Sequence, residues 1–516
     1  MNKHTNLSQN ILKHKNLIHD KWLYFPIIVL IISFLIKLLE NAQLIWIFPL
    51  DLNHDLPSYM SLLYLTIKYG YVSSVPCWYN GLISLKTYPP LWFFITIPIY
   101  YLFKNIQLAT YISFIIIYSI GFFFINLLGK IYRFSFTKKI SFFLFYYANP
   151  LFLSYYLRLG RPAELLGWTI FIAFFIILDY YKDHKLNFKF YLFFICIYSL
   201  LILAYFTPTI VSSIFLVSFL IIKKRLKDKI IVIFSVISSL LITSLWWLPF
   251  LKEIKSLSGG TYTPLNWLNL PTKLGPNVNL FMDKFLTILC PIAFIIIFIF
   301  YFISINKFNI KKSKKELLFY LPALILAILL ITRILVYIPL FNRMYPDSYN
   351  SLYIFLFLVL FFKTKIRVYP KQLKKIVIYA LIIIPILFLL ASIFYITPYK
   401  KHTIQDKEII SLLPEVNDRL LILAENERLL YAYATIYHNI TTPSGASSVL
   451  GGSNLILKLN SIYKDIKNEK CKSLKNKFSE LNVREIISTI KYCNALKKCG
   501  LKTKIQKEHS CLLLNN

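Results

Sequence analysis

The sequence predicts an all-α polytopic membrane bundle of about eleven transmembrane helices, followed by a small α/β domain outside the membrane. Three observations lead to this fold class. Hydrophobic residues make up 57% and charged residues 16% of the 516 residues, whereas charged residues are about a quarter of a soluble domain. The Lys and Arg residues occur in short runs between long apolar segments. After Thr397 the composition changes to that of a soluble domain.

The net charge of +35 would suggest nucleic-acid binding in a soluble protein. Here the basic residues lie between the apolar segments, where they set the topology of membrane helices and contact anionic lipid headgroups. We therefore expect a multi-pass protein of the cell membrane with no nucleic-acid partner. Lysines precede the first apolar segment and no small-residue cleavage site follows it, which predicts a retained first span and a cytoplasmic N-terminus.

The spans follow from placing every dense Lys/Arg run in the cytoplasm, which also puts the C-terminus outside. Leu91–Phe103 is apolar but short, contains Pro98 and is followed by Lys104. Counting it as a crossing would move the next basic cluster outside, so we expect a helix that enters the membrane part-way from the outer face. The predicted spans are Trp22–Leu39, Ile106–Leu128, Ile140–Leu157, Leu165–Tyr181, Phe190–Phe206, Thr209–Ile222, Ile230–Phe250, Phe285–Ile305, Leu317–Ile338, Ser351–Phe362 and Ile376–Tyr395.

The chain divides into residues 1–396, a transmembrane domain with its first external loop at 41–105, and residues 397–516, an extracytoplasmic α/β domain. Four of the seven cysteines lie in this second domain and could pair in an oxidising compartment. Apolar runs predict buried strands, and longer periodic segments predict helices. The predicted strands are Arg419–Ala424, Val483–Thr489 and Cys511–Leu514, and the predicted helices are Leu455–Lys467 and Asn494–Lys498.

The predicted outer loops carry the polar residues that are suited to chemistry. Arginine binds phosphate oxygens with two parallel hydrogen bonds, and carboxylates offer a general base and hard oxygen ligands for a divalent cation. These loops therefore predict a site for a phosphate-bearing headgroup at the membrane surface. The candidate residues are Asp51, His54 and Asp55 in the first loop, Arg158, Arg161 and Glu164 in a second, and Arg343 in a later one.

Each candidate also has a structural interpretation. Asp55 precedes Leu56 and Pro57 and could be the N-cap of a surface helix, a role that is compatible with catalysis. Asp51 starts no obvious helix, which favours chemistry there. His54 is more typical of an exposed loop histidine than of a ligand.

Two further groups have alternatives of the same kind. Arg158 and Arg161 could form an internal ion pair with Glu164 instead of binding a ligand. The stretch that begins at Tyr88 contains Pro89 and Pro90, which fix a bend where a helix enters the bilayer, so its role could be architectural.

A family resemblance rests on these same loops. The acidic pair after the first span, the Pro-x-Trp-Tyr-Asn-Gly segment that begins at Pro76, and the Tyr-Pro-Pro-Leu segment that begins at Tyr88 resemble the first external loop of the GT-C superfamily of membrane glycosyltransferases. The Gly160–Glu164 turn resembles its second external motif. The closest resemblance is to prokaryotic membrane proteins labelled "6-pyruvoyl-tetrahydropterin synthase-related", although the chain shows no zinc-binding histidine set for pterin chemistry.

The resemblance implies a polyprenyl-phosphate-linked sugar donor in the membrane and transfer to a glycan, lipid or protein acceptor at the outer face. It implies that Asp51 or Asp55 is the base and that an external arginine such as Arg343 holds the lipid phosphate. The predicted catalytic residues are Asp51, Asp55 and Glu164, and the predicted substrate-binding residues are His54, Tyr88, Arg158, Arg161 and Arg343.

The chain departs from the family pattern in its second acidic motif. That motif offers Glu164 alone, without an Asp-x-Asp or Asp-x-Glu pair, which leaves open whether Asp51 and Glu164 hold Mg²⁺ or Mn²⁺. The departure also motivates an alternative function, a non-catalytic scaffold that binds lipid-linked saccharide or cell-envelope partners. A transporter is disfavoured because the spans show no two-fold repeat and few deep charges.

Overall fold

The computed structural model describes residues 20–50, 55–71, 75–79, 81, 88–253, 280–306, 310–339, 341, 344, 348–364, 371–396, 401–424, 427–446 and 453–515. Within these ranges, residues up to 396 form a helical bundle. Residues from 401 onward contain a small sheet with helices.

Apolar helices of very different lengths build the bundle. In the described ranges, five helices are long and apolar enough to cross a membrane, or six if the bent pair α9 and α10 is one span. The chain is therefore a multi-pass membrane protein, and the count of eleven spans stays a prediction. In chain order the helices are α1 (Tyr24–Asn41), α2 (Leu56–Tyr69), α3 (Leu91–Phe103), α4 (Ile106–Ile131), α5 (Phe136–Tyr147), α6 (Pro162–Tyr181), α7 (Phe188–Ala204), α8 (Phe206–Ile222), α9 (Leu226–Ile242), α10 (Ser244–Glu253), α11 (Leu280–Asn306), α12 (Ile310–Ile331), α13 (Ser348–Lys363) and α14 (Lys371–Tyr395).

Helix α3 has the length expected of a partial entry into the membrane. Its 13 residues span about 20 Å, less than the roughly 30 Å of a hydrocarbon core. Lys104 ends the helix in the left-handed conformation, and the Asn105 side chain caps α4. Trp92 Nε1 donates a hydrogen bond of 3.0 Å to Ser113 Oγ, so α3 and α4 form a tight hairpin.

Helix α6 lies at the centre of the bundle and α14 at its edge. Of the most apolar window in each helix, 83% is buried in α6 and 17% in α14. Helix α6 packs against α4, α7 and α8, and Phe171 and Phe175 both contact Phe355 of α13. The first turn of α6, which carries Glu164, is therefore held in the middle of one end of the bundle. We call this the site end, and the opposite end the far end.

The last part of the chain contains a four-stranded mixed sheet in the order β1-β2-β4-β3, in which β1 and β2 are parallel and the other pairs are antiparallel. The three predicted strands and both predicted helices are confirmed. Strand β3 was missed because it is an edge strand with largely exposed polar residues. The elements are α15 (Ile404–Leu412), β1 (Leu420–Leu423), α16 (Glu427–His438), α17 (Ser453–Lys467), α18 (Cys471–Glu480), β2 (Glu485–Thr489), α19 (Ile490–Lys498), β3 (Lys502–Gln506) and β4 (Ser510–Leu514).

This part packs on the first loop of the bundle, and α16 lies against α2. The buried Trp78 donates from Nε1 to Thr435 Oγ1 at 2.8 Å, and the Thr442 N–H donates to the Cys77 carbonyl at 2.8 Å. A Cβ on Gly445 would lie 2.6 Å from the ring of Tyr79, so only glycine permits this approach. The sheet-bearing part is thus fixed beside α2 at the site end.

The four tail cysteines form two disulfides, Cys471–Cys499 and Cys493–Cys511. Cys196, in α7, is a free and exposed cysteine. Structural disulfides persist in oxidising compartments and are rare in the cytosol. The pairing therefore supports the predicted extracytoplasmic placement of this part.

We expect membrane-impermeant maleimide to label Cys471 of intact cells only after treatment with a membrane-impermeant reductant. The disulfide with Cys499 blocks its thiol, and Cys471 is the one tail cysteine that is not buried in the folded protein. Mass spectrometry of the tail peptides measures the labelling. A Cys471 thiol that reacts without reductant, or that needs detergent, would contradict the placement.

Candidate functional site

The first loop and the turn before α6 are fastened together by their backbones. The N–H of Asp55 donates to the Leu159 carbonyl at 2.7 Å. Helix α2 begins at the next residue, and α6 begins at Pro162. This one hydrogen bond brings two loops that are far apart in sequence to the same point of the site end.

Arg161 joins an exposed carboxylate to a buried one. Its Nε lies 3.0 Å from Oδ2 of Asp55, and its Nη1 lies 3.8 Å from Oε2 of Glu164. The Asp55 side chain is 57% exposed, that of Arg161 11% and that of Glu164 1%. The internal ion pair considered for Arg161 and Glu164 is confirmed, and it extends to Asp55.

Ser348, the first residue of α13, completes this arrangement. Its hydroxyl donates to Oε1 of Glu164. A carboxylate buried in an apolar bundle is costly unless charge and hydrogen bonds compensate it, and Arg161 and Ser348 supply both. We call Ser348, Glu164, Arg161 and Asp55 the polar row, because they lead in that order from the interior to the surface.

Asp55 occupies the N-cap position of α2, with proline in the first turn, as the structural interpretation predicted. Its side chain, however, makes no capping hydrogen bond. The carboxylate contacts Arg161 instead. The side chain is therefore directed to the polar row and is not used to cap the helix.

Gly160 is required for this geometry. Its φ of +71° lies in the left-handed region, and a Cβ there would lie 2.6 Å from Cβ of Leu56. Both the backbone conformation and the close approach exclude other residues. Gly160 thus allows the turn before α6 to contact the start of α2.

Tyr88 lies beside the polar row. Its ring contacts Tyr59 of α2 edge-on at 5.1 Å, and its carbonyl accepts a hydrogen bond of 2.9 Å from Trp246 Nε1. Trp246 belongs to α10, which is bent by 73° from α9. Burial first, and then the neighbouring phenol of Tyr88, raises the pKa of Tyr59 well above its usual value, so the phenol stays protonated.

The remaining predicted residues divide into two groups. Arg158 is half-buried at the end of a π-helical segment, Leu153–Arg158, three residues before Arg161. Asp51, His54 and Arg343 lie outside the described residues. Their predicted roles stay predictions.

Sequence reasoning missed two polar residues in the first turn of α13. Ser348 contacts Glu164, and Asn350 is 1% exposed. Within the described residues neither amide atom of Asn350 has a hydrogen-bond partner, a deficit that costs about 1–3 kcal/mol. A signal existed, because Ser348, Asn350 and Ser351 form a polar run directly before an apolar segment.

Asp55 and Glu164 do not form a suitable cation site. Asp55 and Glu164 share Arg161, and Glu164 also accepts from Ser348. A guanidinium group therefore lies where a divalent cation would have to bind both carboxylates. The predicted partner ligand Asp51 lies outside the described residues, and we route no chemical step through a metal.

Comparison with solved structures gives the fold. No family model matches the chain, and no curated protein matches it. Arabinofuranosyltransferase AftD from Mycobacteria superposes with a TM-score of 0.58 at 12% identity, over 94% of this chain and 40% of that one. The oligosaccharyltransferase AglB from Archaeoglobus fulgidus, in complex with an inhibitory peptide and a dolichol-phosphate, superposes with a TM-score of 0.52 at 10% identity, over 96% of this chain and 74% of that one.

The chain has the GT-C fold. A further structure of the Archaeoglobus fulgidus oligosaccharyltransferase, in complex with Zn and sulfate, superposes with a TM-score of 0.52 at 12% identity, over 90% of this chain and 68% of that one. Identities this low establish the fold and not the activity. The predicted GT-C architecture is thus confirmed, while the narrower resemblance to the pterin-synthase-related membrane proteins stays a prediction.

We expect Gly160→Ala to lower the melting temperature and to weaken function at the site end, because it adds backbone strain of about 1–2 kcal/mol and a clash with Leu56. Gly500→Ala is the matched control. Gly500 also has a positive φ, of +85°, but a Cβ there would meet only the flexible end of Lys475. Thermal unfolding in detergent measures the difference. Equal melting temperatures for the two variants would show that the contact with Leu56 is unimportant.

Proposed function

We propose that the protein is a membrane glycosyltransferase that transfers a sugar from a polyprenyl-phosphate-linked donor to an acceptor at the outer face of the membrane. The observation that carries the proposal is the polar row. It places a fully buried carboxylate, an arginine and an exposed carboxylate together at one end of a GT-C bundle. The structural neighbours add support, since one of them is an oligosaccharyltransferase in complex with a dolichol-phosphate.

The base in this proposal is a carboxylate of the first external loop, Asp55 or Asp51. It removes the proton of the acceptor hydroxyl or amide while the acceptor atom attacks the anomeric carbon. The bond between that carbon and the phosphate oxygen breaks, the configuration inverts, and the electron pair leaves with the polyprenyl phosphate. Asp55 suits this role because more than half of its side chain is exposed.

Arg161 stabilises the leaving phosphate in this proposal. It is nearly buried, so its charge is weakly screened. Arg158 and Arg343 are further phosphate ligands. Glu164 is buried and orients Arg161, so in this proposal it is a positioning residue instead of the catalytic residue that the sequence predicted.

The acceptor approaches beside the first turn of α2. Ser58 Oγ donates to the Ala446 carbonyl at 2.9 Å, so the sheet-bearing part reaches within one helical turn of Asp55. The donor approaches from the bundle, where the unsatisfied amide of Asn350 offers a polar contact. This arrangement separates the two substrates on opposite sides of the polar row.

We expect Asp55→Asn or Asp51→Asn, whichever variant removes the base, to lower the release of polyprenyl phosphate at least a hundredfold, because an amide does not accept the acceptor proton. The assay supplies a panel of polyprenyl-phosphate sugars in proteoliposomes with cell-envelope extracts as acceptors. Asp183→Asn is the control, since Asp183 is a 52% exposed carboxylate paired with Lys315.

The two candidate functions differ in this assay. Full turnover in both variants would remove the base assignment. Tight binding of a polyprenyl-phosphate sugar, unchanged in both variants and without release of polyprenyl phosphate in the unmodified protein, would establish the non-catalytic scaffold instead.

The same assay tests the metal. We expect turnover to change less than about twofold in excess EDTA, because Arg161 provides the positive charge beside Glu164. Arg161→Gln removes that charge and should abolish turnover. Loss of turnover in EDTA with recovery on adding Mn²⁺ or Mg²⁺ would instead support the metal site predicted at Asp51 and Glu164.

A further inference from the structure

A second cluster of charges is buried at the far end of the bundle. Lys182 Nζ lies 2.7 Å from Oδ1 of Asp179 and 2.6 Å from Oε1 of Glu316. Lys363 Nζ lies 3.7 Å from Asp179 and 4.0 Å from Glu316. Tyr132 donates to Oδ2 of Asp179 at 2.5 Å. We call these five residues the far-end cluster.

The cluster does not behave like ordinary basic residues at a membrane boundary. The exposed fractions of its four charged side chains are 3% for Lys182, 5% for Glu316, 6% for Asp179 and 12% for Lys363. Two acids and two bases balance the charge. Such a cluster is weak as a source of stability, because desolvation offsets the attraction, but it fixes one geometry.

The same two helices carry both the far-end cluster and the polar row. Fifteen residues separate Glu164 from Asp179 in α6, and fifteen separate Ser348 from Lys363 in α13. Fifteen residues of α-helix are about 22 Å long and make four full turns plus roughly 60°. Both members of each pair therefore lie on the same side of their helix. The two helices therefore meet at two matched points, Glu164 with Ser348 and Asp179 with Lys363.

Aromatic side chains pack α6 against α13 between these two points. Phe355, near the middle of α13, contacts Phe171 at 5.8 Å and Phe175 at 5.1 Å between ring centroids. A slide or rotation of α13 at the far end would therefore move Ser348 against Glu164 at the site end. Close-packed interiors transmit such shifts and do not absorb them.

We infer that Lys363 and Asp179 are positioning residues for the polar row, acting through α13 and α6. They set the axial position and the rotation of α13 relative to α6. Ser348 therefore contacts Glu164 in one arrangement, which sets the orientation of Arg161. This inference rests on the proposed glycosyl transfer for its main readout. It assigns a role in that reaction to charges about 22 Å away from it.

The test is a double-mutant cycle of Lys363→Met and Ser348→Ala, measured as kcat and KM for polyprenyl phosphate release. Each single variant should lower kcat about tenfold with KM within twofold, because both misalign Arg161. The double variant should show the same loss in kcat, about tenfold relative to the unmodified protein. If the two sites acted independently, their losses in kcat would multiply to about a hundredfold.

Two controls separate positioning from general damage. Lys363→Arg keeps the charge and should restore kcat to within about threefold of the unmodified protein. Lys315→Met removes an exposed basic partner at the same end, paired with Asp183 at 2.6 Å, and should leave kcat unchanged. Any of three results would overturn the inference. The losses in kcat could multiply in the double variant, Lys363→Met could have a normal kcat, or Lys363→Arg could fail to restore kcat.

Failure of the proposed function is distinguishable. If the unmodified protein releases no polyprenyl phosphate from any donor, the glycosyltransferase proposal fails, and the inference is judged by melting temperatures of the same variants in detergent. The matched contacts then predict that the melting temperature of the double variant falls by less than the sum of the decreases in the two single variants. Additive decreases would overturn the coupling, whatever the activity.

Discussion

A carboxylate inside an apolar helical bundle has to be neutralised where it lies, and Arg161 does this for Glu164. The requirement determines much of the site end. Glu164 is in the first turn of the most buried helix, so Arg161, three residues earlier, is the nearest cation that the same chain segment can supply. Gly160 lets this turn approach α2, and Ser348 satisfies the other carboxylate oxygen.

The position of Arg161 also determines where a second carboxylate lies, that of Asp55. Asp55 pairs with the outer edge of Arg161 and stays exposed, although its position at the start of α2 would permit capping. Asp55 is therefore accessible to a ligand at the surface, whereas the buried Glu164 is not. In the proposed reaction, this difference in burial makes Asp55 a candidate base and Glu164 a positioning residue.

The sequence predicted the features that depend on composition and on charge order. The helical membrane bundle, the short α3, the strands β1, β2 and β4, and the grouping of Asp55 with Arg161 and Glu164 follow from apolar runs, basic runs and side-of-membrane parity. The GT-C architecture was predicted from the family resemblance of the outer loops. The structure does not describe three of the predicted site residues. These are Asp51, predicted as a base and metal ligand, Arg343, predicted as a phosphate ligand, and His54, predicted as a substrate-binding residue.

Other features could not be predicted because they depend on which sides of helices meet. Ser348 precedes the predicted span Ser351–Phe362, and Lys182 and Lys363 directly follow predicted spans, where basic residues are expected to set topology. The structure buries both lysines with Asp179 and Glu316, since α6, α12 and α13 converge at the far end. The hydrophobic periodicity of one helix does not show which other helix packs against it. The unpredicted β3 shows the same limit for an exposed edge strand.

The central claim is that the polar row receives the phosphate of a lipid-linked donor. A cryo-EM structure of the protein in a lipid nanodisc with excess undecaprenyl phosphate tests it most directly. The account predicts phosphate density within hydrogen-bond reach of Arg161, with the lipid chain leaving the bundle sideways into the membrane. Phosphate bound elsewhere, with Arg161 still held between Asp55 and Glu164, would contradict it.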